Sequence, residues 1–194
     1  MSVAKLHLIL CWHMHQPDYR DSENGEFRLP WTYLHALKDY SDMAAHIEAE
    51  PRARAVFNFV PVLLDQLEDY AAQFASGQYH DPLLRLLARD DYDGLTLAER
   101  EFIFDCGFRC GHEQMVAPYP FYKRLHELYD QAEKFGGKGL EYLSSQYLAD
   151  LMVWYHLVWI GETICRSDPL PVRLMPKGEG FDLEDRNALL ELVA

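Results

Sequence analysis

Two apolar runs in the first third of the chain have the composition of β-strands. The run KLHLILCW, at residues 5–12, meets a polar turn that contains a proline. It therefore predicts a buried strand that ends near Trp12. The run ARAVFNF, at residues 53–59, predicts a second short strand that ends at Asn58 or Phe59.

A helical pattern follows each predicted strand. Pro30 suits the first turn of a helix that continues to about Glu48, and Pro61 suits a helix that continues to about Phe74. The apolar face predicted for the first of these helices consists of Leu34, Leu37, Ala44, Ala45 and Ile47. The order strand, helix, strand, helix is typical of a parallel sheet or a (β/α) barrel.

Helical signals dominate the rest of the chain. Asp81 before Pro82 predicts the start of a helix, Thr96 and Glu99 form a capping box, and Asp182 can cap a last helix. Further helices are predicted at residues 119–134 and 140–164. We therefore expect a helix-rich α/β protein in which the middle of the chain is a helical insertion on a barrel.

The predicted strands are too few for a complete parallel sheet. Such a sheet normally has several strands and both of its faces covered, and the predicted last helix is still apolar at Ala194. We therefore expect residues 1–194 to be the N-terminal segment of a larger, truncated catalytic domain, or to borrow strands from a partner. An open sheet edge also predicts self-association.

Charge and composition limit the class of partner. The formal charge is −13, which argues against a nucleic-acid ligand, because such affinity depends on basic side chains that neutralise phosphates. No membrane partner is expected either, since the apolar run at residues 151–160 is shorter than the roughly 20 residues that span a bilayer. Four scattered cysteines and the lack of a secretory signal predict a cytoplasmic protein with reduced thiols.

Two histidines, His13 and His15, follow the first predicted strand. In a (β/α) barrel the loops after the strands build the active site, and a spacing of two sends both side chains to the same side of an extended chain. One interpretation is a His-x-His metal pair, with His112, Glu113 or Cys110 as further ligands of zinc. Another is that the histidines only form hydrogen bonds within the loop.

The residues around this pair favour a third interpretation, a carbohydrate site. Hydroxyl-rich ligands need planar polar groups for their hydroxyls and aromatic faces for the apolar side of the sugar ring. Groups of both kinds follow His15 within a short stretch of chain: Gln16, Asp18, Tyr19, Arg20, Asp21, Trp31 and Tyr33.

Several segments resemble glycoside hydrolase family 57, whose retaining α-glucan enzymes include α-amylases, 4-α-glucanotransferases, branching enzymes and amylopullulanases. His15-Gln16-Pro17 matches the first signature region of that family. The resemblance covers nearly the whole chain, through HMHQPDY, FRLPWTYLHALKDYSDMAAHIE, ARAVFNFVPVLLDQLEDY, EQMVAPYPFYKRLHEL and RLMPKGEGFDLEDRNALLEL.

The resemblance implies the first part of an incomplete TIM-like (β/α)7 barrel with helical insertions. It also implies an α-glucan or oligosaccharide substrate and a retaining mechanism that uses a Glu nucleophile and an Asp acid/base. Both carboxylates belong to later signature regions that this chain lacks, so we expect no catalytic residue, no metal and no cofactor in it. Glu113 and Glu162 have a helical context and no preceding strand, so they are interpreted as solvated residues or residues of the helical insertion.

The resemblance thus predicts substrate-binding residues without the catalytic pair, and we expect the isolated chain to be inactive. The substrate-binding residues that we predict are His13, His15, Gln16, Tyr19, Trp31 and Asn58. Asn58 has an alternative role as a cap of the helix at Pro61, and Trp31 one as a hydrophobic plug under the loop. The alternative functions are a metal-dependent hydrolase and a non-catalytic helical interaction module.

Overall fold

The computed structural model describes residues 6–135 and 137–194, which form two β-strands and a set of short helices. The strands are β1 (Leu10–Met14) and β2 (Ala55–Phe59). The helices are α1 (Trp31–His35), α2 (Ser41–Ala49), α3 (Pro61–Ser76), α4 (Pro82–Leu87), α5 (Leu97–Gly107), α6 (Pro120–Glu133), α7 (Gly137–Glu141), α8 (Ser145–Leu157), α9 (Glu162–Ser167), α10 (Pro169–Lys177) and α11 (Leu183–Val193). Two π-helical turns occupy Ala36–Tyr40 and His112–Val116.

The two strands pair in parallel, in a register that sets Leu10 opposite Ala55 and His13 opposite Asn58. A helix-rich α/β fold is thereby confirmed, whereas the barrel stays a prediction, because the described residues contain a sheet of only these two strands. The predicted end of the first strand was two residues short. β1 continues to Met14, so His13 lies inside the strand and only His15 follows it.

The helix predicted from Pro30 to Glu48 is interrupted. The π-helical turn Ala36–Tyr40 separates α1 from α2, and the extra residue of a π turn rotates the following residues by about 100° around the helix axis. Leu34 and Leu37 are buried as predicted, but α2 contains no buried residue and Ala44 is exposed. The single apolar face predicted for this segment was therefore wrong beyond Leu37.

Local capping signals agree with the structure. The Asp81 carboxylate accepts a hydrogen bond from the Leu83 backbone N–H and caps α4. The Thr96–Glu99 capping box begins α5, and Asp182 caps α11. These three predictions are confirmed.

The region from residue 140 to residue 164 does not form the single helix that its pattern predicted. It contains the end of α7, all of α8 and the start of α9, with Ser144 as the cap of α8. Helix α10 contains three prolines and was not predicted. Two of them lie in its first turn, where proline is tolerated.

Helix α8 forms the centre of the hydrophobic core. All of its residues from Tyr147 to Leu157 are buried, so this helix is surrounded by protein on every side. Trp154 stacks on Tyr122 of α6, with an angle of 10° between the rings, and its Nε1–H donates to the Gly178 carbonyl oxygen at 2.7 Å. Helices α5 and α6 pack against α8.

None of the helices in residues 6–135 and 137–194 combines the length and the apolar character that crossing a bilayer requires.

A buried polar network connects α1, α3, α4 and α8. The Tyr70 hydroxyl donates to the Asp81 carboxylate at 2.6 Å, and the rings of Tyr70 and Tyr33 lie 5.2 Å apart. The Nδ1 of His156 lies 2.8 Å from the Met152 carbonyl oxygen, which can only accept, so this nitrogen carries the proton. The Tyr33 hydroxyl therefore donates to Nε2 of His156, at 3.0 Å.

Asp81 and His156 of this network have opposite effects on stability as the pH changes. Burial raises the pKa of Asp81 from 3.8 to about 6, so its contribution to stability is present below pH 3.8 and is lost as the pH rises through 6. Burial lowers the pKa of His156 from 6.5 to about 4, so its contribution is present above pH 6.5 and is lost as the pH falls through 4. Between pH 4 and pH 6 the two slopes largely cancel.

The variant Asp81→Asn is expected to remove this cancellation, while its side-chain oxygen can still cap α4. Relative to the unmodified chain, its free energy of unfolding should rise more steeply with pH between pH 4 and pH 6. The expected difference in slope approaches one proton, about 1.4 kcal/mol per pH unit. Urea unfolding at half-unit pH steps measures it. Asp93→Asn, at an exposed position, is the control, and identical slopes for Asp81→Asn and the unmodified chain would contradict the prediction.

Candidate substrate-binding site

The candidate site lies at the carboxyl ends of the two parallel strands. His13 and Asn58 are opposite each other in the sheet register, and both are exposed. The Asn58 Nδ2 amide donates to His13 Nδ1 at 2.9 Å. His13 therefore carries its ring proton on Nε2, which makes that nitrogen a hydrogen-bond donor.

The second histidine extends this polar surface. The rings of His13 and His15 are parallel, with an angle of 11° between them and 5.7 Å between their centroids. Both side chains are exposed and lie on the same side of the chain, as their spacing predicted. The described residues thus bring two imidazoles and one amide together at one sheet edge.

Gln16 lies between two tyrosines rather than facing solvent. Its Nε2 donates to the Tyr40 hydroxyl at 3.1 Å, and its Oε1 accepts from the Tyr19 hydroxyl at 2.7 Å. Partial burial raises the pKa of Tyr19. The polar groups of Gln16 and the Tyr19 hydroxyl are therefore engaged in holding the loop after β1.

Gln66 of α3 forms hydrogen bonds to the backbone of the same loop. Its side chain is fully buried and forms four hydrogen bonds. Its Oε1 accepts from the Tyr19 backbone N–H at 3.0 Å and from the Thr32 hydroxyl at 3.1 Å. Its Nε2 donates to the carbonyl oxygens of Pro17 at 2.9 Å and Val62 at 3.0 Å. All of its hydrogen-bonding capacity is used, and two of the bonds hold backbone groups of the loop, the Tyr19 N–H and the Pro17 carbonyl oxygen.

Trp31 lies beside the helical part of the molecule. Its ring is half-buried, 5.6 Å from the ring of Trp159 and 6.4 Å from that of His35. Contact with Trp159 is compatible with the plug interpretation and leaves only part of the ring accessible. Tyr33, which the sequence placed near the site, instead points into the core toward His156.

The charged residues of the loop pair with each other. Arg20 donates two hydrogen bonds to Asp18, at 2.9 Å and 2.8 Å, which lower the pKa of that carboxyl group. Arg20 also lies 3.6 Å from Asp69 of α3, and Arg28 pairs with Asp21. The arginine partners lower the pKa of the Asp18 and Asp21 carboxyl groups, so these two side chains are unsuited to act as general acids near neutral pH.

Asn58 does not cap the following helix. The cap position of α3 belongs to Val60, and no side chain bonds to the first turn there. The capping alternative for Asn58 was therefore wrong, because the amide is directed across the sheet to His13.

Glu113 and Glu162 lie outside this cluster. Glu113 belongs to the π-helical turn His112–Val116, and Glu162 is the first residue of α9, where it pairs with Arg166 at 2.5 Å. Both side chains are exposed. Neither follows a β-strand.

Two of the three residues considered as further metal ligands, His112 and Cys110, have other hydrogen-bond partners. His112 Nε2 donates to the Phe108 carbonyl oxygen at 3.0 Å, and Cys110 Sγ lies 3.8 Å from the Tyr122 hydroxyl. Among the residues that the structure describes, no three His, Cys, Asp or Glu side chains are grouped so that they could hold a metal ion.

Two residues that organise the site, Tyr40 and Gln66, were missed in the sequence. Gln66 lies in the buried stripe of α3 with Leu63 and Tyr70, so a polar residue at an apolar position was the available signal. No signal identified Tyr40, because its direction depends on the π-helical turn that precedes α2.

Fold and site together define a helix-rich α/β protein with a polar, solvent-accessible cluster at the carboxyl edge of a parallel sheet. The family model of glycosyl hydrolase family 57 matches residues 9–164, which contain both strands and the whole cluster. The chain therefore belongs to glycosyl hydrolase family 57. No curated protein and no solved structure matched it.

Membership in this family supports a glycoside hydrolase or glucanotransferase type of function and a carbohydrate substrate. Carbohydrate hydroxyls need the kind of donors and acceptors that His13, His15 and Asn58 expose.

Proposed function

We propose that this chain supplies substrate-binding residues to a retaining α-glucan hydrolase or glucanotransferase. The observation that carries the proposal is the exposed cluster of His13, His15 and Asn58 at the carboxyl ends of β1 and β2. Active sites of (β/α) barrels are built at this end of the strands. The bound ligand would be an α-glucan or a shorter oligosaccharide.

Each residue of the site has a distinct role in this proposal. His13 donates from Nε2 to a sugar hydroxyl, and His15 contacts a neighbouring hydroxyl. Asn58 fixes the tautomer of His13 through its hydrogen bond to Nδ1. Gln16 and Tyr19 hold the loop, and the accessible part of Trp31 borders the ligand.

Catalysis requires groups that this cluster does not contain. A retaining glycosidase uses two carboxyl groups about 5 to 5.5 Å apart, and within residues 6–135 and 137–194 no carboxylate is grouped with His13 and His15 closely enough to share a metal ion with them. We propose that the catalytic Glu and Asp belong to further strands of the same domain, of which residues 1–194 are the N-terminal segment, and that the isolated chain turns over no glucan.

The exposed apolar side chains of the sheet support this placement. Val56, Phe59 and Leu10 are 53%, 44% and 39% exposed. Apolar strand residues normally lie against a covering layer. Further strands of the domain would bury them, and without such cover the surface favours self-association.

We also propose that the protein is cytoplasmic. All four cysteines are present as thiols, and burial raises the thiol pKa of three of them, Cys106, Cys110 and Cys165. Thiols persist in a reducing compartment.

Titration of the ¹⁵N-labelled chain with maltoheptaose tests the proposal. We expect chemical-shift changes at His13, His15 and Asn58, and His15→Ala should weaken binding by roughly three- to tenfold, the equivalent of one hydrogen bond. The melting temperature should change little, because His15 is exposed. His46→Ala, at an exposed position of α2, is the control.

The possible outcomes separate the candidate functions. Equal affinities of His15→Ala and His46→Ala would contradict the assignment of His15. A response to zinc with none to maltoheptaose would favour a metal-dependent hydrolase, and no response to either would favour an interaction module.

A further inference from the structure

Tyr40 connects the candidate site to the helical part of the protein. Its hydroxyl accepts from Gln16 Nε2 at 3.1 Å and lies 3.5 Å from the carbonyl oxygen of His15, to which it donates. One phenolic oxygen therefore contacts two consecutive residues of the loop, including the backbone of a histidine proposed to bind the ligand. The Tyr40 ring packs against that of His35, with 6.5 Å between the centroids.

The direction of Tyr40 depends on the π-helical turn Ala36–Tyr40, of which it is the last residue. The wider turn changes the hydrogen bonding of the helix. The Ser41 hydroxyl donates to the Ala36 carbonyl oxygen at 2.6 Å, and the Leu37 carbonyl oxygen accepts from the Gly161 backbone N–H at 3.1 Å. π-Helical turns are found frequently at functional sites.

Contacts from the start of α9 hold this turn in place. The Asp42 carboxylate accepts from the backbone N–H groups of Glu162 at 2.8 Å and Thr163 at 2.9 Å. Gly161 approaches so closely that a β-carbon there would lie 2.9 Å from the Lys38 carbonyl oxygen and from Asp42 Oδ1. The segment that carries Tyr40 is thus fixed by residues 161–163.

We propose that Tyr40 is a positioning residue for glucan binding, an inference that rests on the function proposed above. Its hydroxyl holds the backbone of His15 and the side chain of Gln16. These two hydrogen bonds keep the imidazole of His15 parallel to that of His13, so that both rings face one ligand. Tyr40 itself does not contact the sugar.

The variant Tyr40→Phe separates this role from simple packing, because it removes only the hydroxyl and keeps the ring. Tyr142→Phe, at a position that is 87% exposed, is the matched control. Urea unfolding of both variants tests whether the fold is retained.

The first measurement needs no ligand. In the unmodified chain we expect slow solvent exchange of the Gln16 side-chain amide and nuclear Overhauser contacts between the His13 and His15 rings. Tyr40→Phe should accelerate the exchange and weaken the ring contacts, whereas Tyr142→Phe should change neither. A Tyr40→Phe chain that keeps both signals would overturn the proposal.

The second measurement is the affinity for maltoheptaose. Loss of one ordering hydrogen bond should weaken binding by roughly three- to tenfold in Tyr40→Phe and leave Tyr142→Phe unchanged. Disturbed histidine rings with undiminished affinity would also overturn the proposal. If the unmodified chain does not bind maltoheptaose, the proposed function fails, and the ligand-independent measurement alone decides whether Tyr40 positions the loop.

Discussion

Gln66→Leu is expected to lower the free energy of unfolding by about 3 to 5 kcal/mol, although leucine has nearly the same size as glutamine. Each buried polar group that loses its partner costs about 1 to 3 kcal/mol. The substitution removes the partner of the Tyr19 N–H, the Thr32 hydroxyl and the Pro17 carbonyl oxygen. Buried polar groups of native proteins nearly always have a hydrogen-bond partner.

The same variant should also impair the candidate site, because two of these groups, the Tyr19 N–H and the Pro17 carbonyl oxygen, belong to the loop that follows β1. We expect weaker maltoheptaose binding together with the lower stability, measured by urea unfolding and by titration. Gln131→Leu, at an exposed position of helix α6, is the matched control and should change the stability by less than about 0.5 kcal/mol. A loss below about 1 kcal/mol in Gln66→Leu would show that water replaces the missing hydrogen bonds.

Trp154→Ala is expected to have the largest effect on stability, about 5 kcal/mol. Truncation of a buried tryptophan costs about 3 to 5 kcal/mol through lost burial and the cavity that remains. The side chain is 1% exposed, stacks on Tyr122 and donates to the Gly178 carbonyl oxygen. That carbonyl oxygen would lose its partner, which adds to the cost. Because domains are stable by about 5 to 15 kcal/mol, part of the chain should be unfolded at 25 °C.

Trp154→Phe divides this effect into its two parts. Phenylalanine keeps an aromatic ring against Tyr122 and lacks the N–H donor to Gly178. The free energy of unfolding of Trp154→Phe should be about 1 to 3 kcal/mol lower than that of the unmodified chain and higher than that of Trp154→Ala. Circular dichroism during thermal unfolding measures all three. An alanine variant as stable as the phenylalanine variant would mean that the core around α8 closes over the missing ring.

Local features of the sequence determined the helix starts and part of the candidate site. A cap such as Asp81 or the Thr96–Glu99 box acts within one helical turn, so the residues that decide it are adjacent in the chain. The shared direction of His13 and His15 follows from the period of two in an extended chain. These features need no knowledge of distant residues.

The tertiary structure alone decided which surfaces meet. Tyr40 contacts Gln16 because the π-helical turn rotates it toward the loop, and that turn is held by Gly161, which is more than a hundred residues away in the chain. The contact between Trp31 and Trp159 and the hydrogen bond from Tyr33 to His156 likewise join distant segments. No local pattern encodes such pairs, because their geometry depends on how whole helices pack around α8. The sequence by itself therefore determined the starts of α3, α4, α5, α6 and α11 and the shared direction of His13 and His15. Only long-range packing decided the break in the helix after α1 and the direction of Tyr40.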